Sequence, residues 1–516
     1  MSYHKFIIFV SCFLFFIASF TFAQEEEAPE IKTAPENGAE AVYVISSFVF
    51  NIDGITRTYA LINKAELTAG EEITGLSALQ NYIREKRQLL YNERVLESVK
   101  IEYTIDALGE DGKYPVNLVI DVKDTWNIIA IPRPQYSSNT GFDITIKARD
   151  YNFLGTMSPL RIDLGYQHDT EGRNFYSLML DSNIPFRLFN LNWNFNFDHF
   201  YTFRPDLDKH HYYQNNTGLS VELPLKTSII TIGFTESFII NEENDTRYRS
   251  EYGRFQEGLY LSSQPYISWR IPTGFFYYDL GEIYYTPRLS AAFNHELPQW
   301  PLADFRKGPF LTFSHNITFG RIDWNDNFQR GAAARINHSI SYNFYNLRND
   351  IEPWTTNINI RGIGHRKISN FIGISSCIMY RQWFFDDNYT DEGGDVLRGI
   401  LDNKIIANSM LSVNFDVSFK ILNFNPYAWL NNKYRFLRIF EFELHTAPFV
   451  DAAFYNDPIN QKVFGLENLL LTGGLEAIIF PARWRSLFLR ISYGRNFSVG
   501  PKSNNSEIFI GTELHY

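Results

Sequence analysis

A chain of 516 residues with 45% hydrophobic and 20% charged side chains has ample apolar material for a core, which excludes a disordered polypeptide. The formal net charge of −11, with no basic block, argues against nucleic acid as a partner. Mean hydropathy is −0.24 and, beyond residue 23, no uncharged apolar run reaches the roughly 18 residues of a membrane helix, so a bundle of such helices is excluded.

In chain order, residues 1–23 combine a short n-region, an apolar stretch and Thr21-Phe22-Ala23 before Gln24, the pattern of a secretory signal peptide cleaved after Ala23. Cys12 lies inside that stretch without the small residues a lipoprotein cysteine needs before it. The mature chain therefore keeps Cys377 alone and forms no internal disulfide. Residues 24–41 are acidic and poor in large apolar side chains, and they read as a flexible lead.

Residues 42–124 have their own pattern. The run from Val42 alternates into a strand ending at Asp53-Gly54, a turn signal. Two segments follow with apolar residues at helical spacing, the second placing Leu76, Leu79, Tyr82 and Ile83 on one face. Two further strands are joined by Gly109-Glu110-Asp111-Gly112. The order strand, helix, helix, strand, strand, with Gly70 ahead of the second helix and the run Arg87-Gln88-Leu89-Leu90-Tyr91-Asn92, resembles a POTRA domain of outer-membrane assembly proteins.

From residue 126 to 516 period-2 alternation takes over, and no helical segment is expected there. Phe440-Glu441-Phe442-Glu443-Leu444 sets large apolar side chains on one face and carboxylates on the other, and the surplus of aromatics (17%, with 46 Phe and 31 Tyr) favours such pleated surfaces. With Asp, Glu, Asn and Lys recurring on the polar face and almost no cysteine, the pattern fits a closed transmembrane antiparallel β-barrel with a wet lumen. Counting candidate strands gives about 13 before residue 390 and five after it, 18 in all. Stretches such as 201–216 and 241–258 read as outward loops.

Asp391-Glu392-Gly393-Gly394-Asp395-Val396-Leu397-Arg398-Gly399-Ile400 lies in a long loop with five strands still to come. Its Gly-Gly-x-x-x-Arg-Gly spacing and its place resemble the motif loop of the BamA/TamA-like outer-membrane assembly superfamily. Ile400 stands where that family has an aromatic residue. Phe449-Val450-Asp451-Ala452-Ala453 is similar to a second family motif, with Ala453 in place of its glycine. The resemblance implies that the loop folds into the barrel and that Arg398 pairs with Asp451, with Asp416 as a weaker second partner. A bidentate arginine–carboxylate pair would hold the loop in one orientation. The same resemblance, with Asn327 to Gly331 taken as the turn three strands ahead of the loop, implies 16 strands rather than 18. The final strand places Ile508, Ile510, Thr512, Leu514 and Tyr516 on one face, similar to a C-terminal β-signal.

No Gly-x-Ser-x-Gly, His-Glu-x-x-His or phosphate loop occurs, and Asp206, Asp208, His210 and His211 match no zinc or EF-hand spacing. No enzyme activity, cofactor or metal is expected. The resemblance implies a protein of the bacterial outer membrane, its POTRA-like domain in the periplasm. It would insert or translocate unfolded outer-membrane or exported clients, with accessory periplasmic lipoproteins as further partners. The alternatives are a passive channel, porin or receptor that keeps the fold, and a dedicated two-partner secretion transporter.

Overall fold

The computed structural model describes residues 41–137, 141–169, 172–205, 210–241, 258–276, 281–296, 307–349, 351–384, 391–392, 396–400, 406–407, 409–456, 468–498, 506–511 and 514–515. The signal peptide and nearly all of the acidic lead expected from the sequence lie outside them, as do Gly393, Gly394 and Tyr516.

The N-terminal unit runs β1 (Val42–Asp53), α1 (Thr58–Lys64), β2 (Glu72–Thr74), α2 (Leu76–Asn92), β3 (Leu96–Ile105) and β4 (Tyr114–Asp124). The expected order is present, with the three-residue β2 added between the helices. The sheet order is β2-β1-β4-β3, with β1 and β4 parallel, so the ten-residue β3 is an open edge. Helix α2 begins after Gly75, whose φ of +91° suits glycine, and it buries Leu79, Ile83 and Leu90 at helical spacing. Leu79 packs with Tyr43, Ile45 and Leu118, while Leu90 packs with Leu61, Leu96 and Ile120.

Thirteen strands follow: β5 (Ile128–Ser137), β6 (Gly141–Asp150), β7 (Leu160–His168), β8 (Asn174–Leu188), β9 (Leu191–Arg204), β10 (His210–Pro224) and β11 (Ile229–Asn241); then β12 (Gly258–Phe276), β13 (Glu282–Glu296), β14 (Phe310–Asn325), β15 (Phe328–Asn343), β16 (Trp354–Lys367) and β17 (Ile372–Phe384). A two-stranded ribbon, β18 (Asp391–Glu392) with β19 (Ile406–Ala407), lies in the motif loop. Five more wall strands complete the chain: β20 (Ser409–Phe424), β21 (Phe442–Tyr455), β22 (Leu469–Pro481), β23 (Leu489–Asn496) and β24 (Ser506–Gly511). All are antiparallel to their neighbours along the chain, and β24 meets β5 to close the barrel.

The barrel has 18 strands, which corrects the expectation of 16. Five strands do follow the motif loop, and the two-residue turn at Asp326-Asn327 does lie three strands before it. Ten strands, β5–β14, precede that turn, so the resemblance undercounts the N-terminal half of this wall. Two further corrections concern the connections. Residues 201–204 and 210–216 extend β9 and β10 rather than forming a loop, because Tyr201 and Phe203 oppose Tyr213 and His211 and continue the aromatic alternation. Short helices do occur in the barrel region: α3 (Phe344–Arg348), α4 (Pro426–Trp429), and 3-10 turns at Phe153–Gly155 and Arg435–Phe440.

Side chains alternate across this wall. On β20, Asn414 and Asp416 are buried towards the lumen while Val413 and Phe415 point outward. On β21 and β22, Asp451 and Glu476 are inside while Val450 and Leu475 are outside. Glu236 interrupts the apolar outer pattern on β11. It shares the outer face of that strand with exposed Ile232 and Phe234, and it accepts from Ser263 Oγ at 2.7 Å.

The N-terminal unit is docked on one mouth of the barrel, called here the domain end. Arg94 is the central contact. It donates to the carbonyl of Arg485 and, at 3.1 Å, to Asn327 Oδ1, and its guanidinium lies 4.1 Å over the Trp324 ring. Burial, and then the neighbouring Arg485 guanidinium, draw Arg94 down to about 9. Asn92 donates to Asp323 at 2.9 Å and accepts from the Trp324 amide at 3.0 Å, while Gln88 donates to the Trp324 carbonyl at 3.1 Å. On another arc of the mouth, Arg57 N–H donates to Gly155 O at 2.9 Å and Asn152 donates to Thr56 Oγ1 at 2.7 Å.

Candidate functional site: a buried arginine and its route to the barrel seam

Residues 396–400 of the motif loop lie inside the barrel, buried throughout. A loop in that position brings a permanent cation into the lumen, and its desolvation must be offset by anions and hydrogen bonds. Arg398, 5% exposed, has three bonds to the fully buried Asp451. Its backbone N–H reaches Oδ2 at 3.0 Å, Nε reaches Oδ2 at 2.9 Å and Nη2 reaches Oδ1 at 2.6 Å. The planar fork therefore meets the carboxylate bidentately, and the backbone bond fixes the loop itself. Nη1 lies 3.3 Å from Asp416 Oδ2 and 3.3 Å from Glu476 Oε1, and the guanidinium stacks 3.8 Å from the centre of the Phe449 ring.

Neighbouring loop residues are held by shape. Val396, Leu397 and Ile400 pack with Met379, Ala407, Met410, Ala453, Tyr455 and Leu470. Ile400 and Ala453, the two positions that depart from the family motifs, belong to this one cluster. The Val396 carbonyl accepts from Asn414 Nδ2 at 2.7 Å. Gly399 has a φ of +87°, and an added Cβ would sit 2.7 Å from Gly494 C, so two backbones touch here and neither position has room for a side chain.

A second set of contacts leads from the loop to the seam. Gly399 N–H donates to Glu507 Oε2 on β24 at 2.9 Å. Glu476 is shared between Arg398 and Arg490, each at 3.3 Å. The Arg490 guanidinium lies 4.2 Å from the Phe509 ring centre, and Arg133 of β5 lies 4.7 Å from that ring. Arg133 Nε then donates to the Ile510 carbonyl at 2.6 Å, across the line where β5 meets β24. Among the described residues, β24 is the shortest run of wall strand, at six residues.

The C-terminus departs from the expected strand face. Ile510 is outward on β24, but the strand stops at Gly511. Gly511 pairs with Arg490 of β23, and Leu514 and His515 are outside any strand. Leu514 and His515 instead line a lumen cavity with Asp416, Glu476 and His365, and His515 Nε2 lies 3.3 Å from Asn414 Nδ2. Burial, then the Arg398 and Arg490 guanidiniums, hold the His515 imidazole well below its usual range.

The structure thus brings together Arg398, Gly399, Asp451 and Asp416. It places Ile400 in the apolar cluster beside them, Leu514 below, and Ile510 on the outer wall. Sequence reasoning missed Glu476, Glu507, Arg490, Phe509 and Gly494. A usable signal for Glu476 was the pair Gly473-Gly474 in the same strand, since a strand glycine marks close backbone approach. An added Cβ at Gly474 would lie 1.9 Å from the Tyr493 carbonyl oxygen. His211 of the rejected metal set contacts Tyr201 on the wall at 2.8 Å, and no group of His, Cys, Asp and Glu able to hold a metal occurs among the described residues.

Fold and site together define an outer-membrane-type β-barrel with an N-terminal α/β domain on one mouth and a motif loop pinned inside the lumen. No family model matches the sequence, and no curated protein matches it. Among solved structures, the chain is similar to BamA from Haemophilus ducreyi lacking POTRA domains 1–3, with 13% identity, a TM-score of 0.37, and 90% of this chain and 83% of that one covered. It is also similar to CdiB from Acinetobacter baumannii (12% identity, TM-score 0.46, 91% and 74% covered) and to CdiB from Escherichia coli (9%, 0.42, 95% and 92%).

Proposed function

We propose that this chain is an insertase or translocase of the bacterial outer membrane that assists the assembly or export of other outer-membrane proteins. The carrying observation is the connection from Arg398, held by Asp451, through Gly399 to Glu507 of the closing strand. A passive pore has no need of a loop pinned in its lumen and tied to its last strand. A device that opens its wall to a client strand does, because the loop can set how firmly β24 is held against β5.

In this reading the domain end faces the periplasm. The open edge of β3 receives an extended client segment by β-augmentation, and the client passes to the seam. Nothing in the process requires nucleotide, metal or covalent chemistry. Accessory periplasmic lipoproteins are candidate partners at the N-terminal domain. Arg398 and Asp451 support the barrel and do not touch the client.

Conditional depletion followed by quantitative proteomics of the outer membrane tests the proposal. Loss of several unrelated barrels supports an assembly role, and loss of one exported protein supports a dedicated transporter. Loss of this chain alone overturns both and leaves a passive channel.

A further inference from the structure

The connection between β20 and β21 differs from the other turns at the domain end. Asp326-Asn327 and Phe189-Asn190 are two-residue turns, whereas residues 425–441 separate these two strands. The segment is ordered by its own bonds. Asn425 Oδ1 accepts from Ala428 N–H at 2.8 Å to cap α4, Asn432 N–H donates to Tyr427 O at 2.9 Å, and Leu437 N–H donates to Tyr434 O at 3.0 Å.

Its composition and exposure are unusual for a turn in water. Trp429 is 60% exposed, Phe436 62% and Phe440 55%, with Leu430, Tyr434 and Ile439 also exposed. From Asn425 to Glu441 the cations are Lys433, Arg435 and Arg438 and the one carboxylate is Glu441 at the end of the segment, a formal excess of two positive charges. Arg438 lies 4.6 Å from the Tyr427 ring centre and Lys433 lies 5.4 Å from that of Tyr434. Large exposed aromatics beside an excess of cations would cost free energy in water and are favoured at a lipid–water interface.

The segment also stands on the outer side of the wall. With Phe424, Leu437, Ile439 and Phe440, the outward-facing Phe442, Ile479 and Leu489 line a groove of about 460 Å³ that is apolar apart from Glu441. That volume is within the ~300–1,000 Å³ of small-ligand sites. On β22 and β23 the same face carries the exposed Leu475 and Ile491 higher up, so the groove continues the lipid-contacting surface.

We infer that residues 425–441 form a docking site for anionic phospholipid of the membrane leaflet at the domain end. An acyl chain occupies the groove, Trp429 and Phe436 enter the interface, and Lys433, Arg435 and Arg438 meet the headgroup phosphates. The argument for a lipid occupant is charge complementarity combined with continuity with the outer wall.

The full chain reconstituted into vesicles of phosphatidylethanolamine and phosphatidylglycerol provides the test. The Trp429 signal is taken as the difference between wild type and Trp429→Phe. Acyl-chain-brominated phospholipid quenches that signal, and aqueous iodide does not. The reverse pattern, quenching by iodide and none by brominated lipid, overturns the proposal and leaves a solvated segment or a protein-binding one. In detergent-purified protein, replacing Lys433, Arg435 or Arg438 by Gln lowers retained phosphatidylglycerol relative to phosphatidylethanolamine by about fivefold per cation. Unchanged retention in a variant that still shows the gel mobility of a folded barrel overturns it too. The wild-type quenching result decides alone if the variants do not fold.

Discussion

The backbone amide of Gly399 donates to the Glu507 carboxylate at 2.9 Å, which ties the tip of a lumen loop to the last strand of the wall. One residue earlier, Arg398 is held by Asp451 two strands upstream of β23. The loop therefore bridges the settled part of the wall and its closing edge.

Removing one partner of the central pair strands the other in a buried site. Arg398→Ala is expected to cost about 3–5 kcal/mol of barrel stability, the range for an uncompensated buried charge. Asp451→Asn keeps the shape and one acceptor, so it costs less. Arg398→Lys rescues poorly, because an ammonium cannot reproduce the fork. Urea unfolding in vesicles, read by the heat-dependent gel shift, ranks the three variants.

Gly494→Ala tests the contact between loop and wall without touching a charge. Its added Cβ would lie 2.7 Å from Gly399 N, so the loop tip must move away from β23. Gly70→Ala, where the added atom meets nothing within 4 Å but a φ of +85° strains alanine, is a control for backbone strain in the N-terminal domain away from the loop. Hydrogen exchange of the 396–400 peptide rises in the first variant and stays at the wild-type level in the second.

His515 gives a pH dependence with a definite sign. Its half-buried imidazole is faced by Arg398, Arg490 and Arg361 with Asp416 and Glu476 on the same cavity, and is held below its usual range by desolvation first and then by those guanidiniums. A base depressed in the folded state binds fewer protons there than when free. The tail contact is therefore intact above the free imidazole value, ~6.5, and weakens as pH falls below it. Deuterium uptake by the C-terminal peptide, corrected for intrinsic rate, is expected to rise between pH 7.5 and 5. His515→Phe removes that difference.

Arg94→Ala frees the N-terminal domain from its mount. The side chain supplies hydrogen bonds to two barrel turns and stacks on Trp324 and approaches Phe488 at 5.1 Å, so its loss is expected to cost about 1.5–3 kcal/mol of docking per charged hydrogen bond. Distances between spin labels on α2 and on β15 broaden in the variant while the barrel keeps its gel mobility.

Glu236→Gln tests the outer wall. A carboxylate facing hydrocarbon costs stability, and an amide keeps the Ser263 contact. The variant is expected to be more stable than wild type, by up to about 2 kcal/mol, in urea unfolding from vesicles.

Much of this molecule was legible in its sequence, because the signals are local. Period-2 alternation shows the individual strands, and the 18 candidate strands it counts match the barrel, whereas the family expectation of 16 does not. Arg398, Asp451 and Asp416 were visible through motif spacing. Glu476, Glu507 and Gly494 were not, since each is an ordinary residue of a strand that becomes a partner only when the barrel closes. The docking of Arg94 on Trp324 joins positions far apart along the chain and has no periodic trace. Leu514 is misplaced for a different reason: its sequence position continues the outward alternation of β24, yet its side chain lines the lumen cavity with Asp416 and Glu476, a tertiary contact that alternation does not record.

The most direct test of the central claim is reconstitution of the full chain in vesicles with an unfolded, unrelated β-barrel as client. Wild type is expected to speed client folding over empty vesicles, and Arg398→Ala at equal folded amount is expected to lose most of that gain. No acceleration by wild type, or equal acceleration by the variant, would contradict the account.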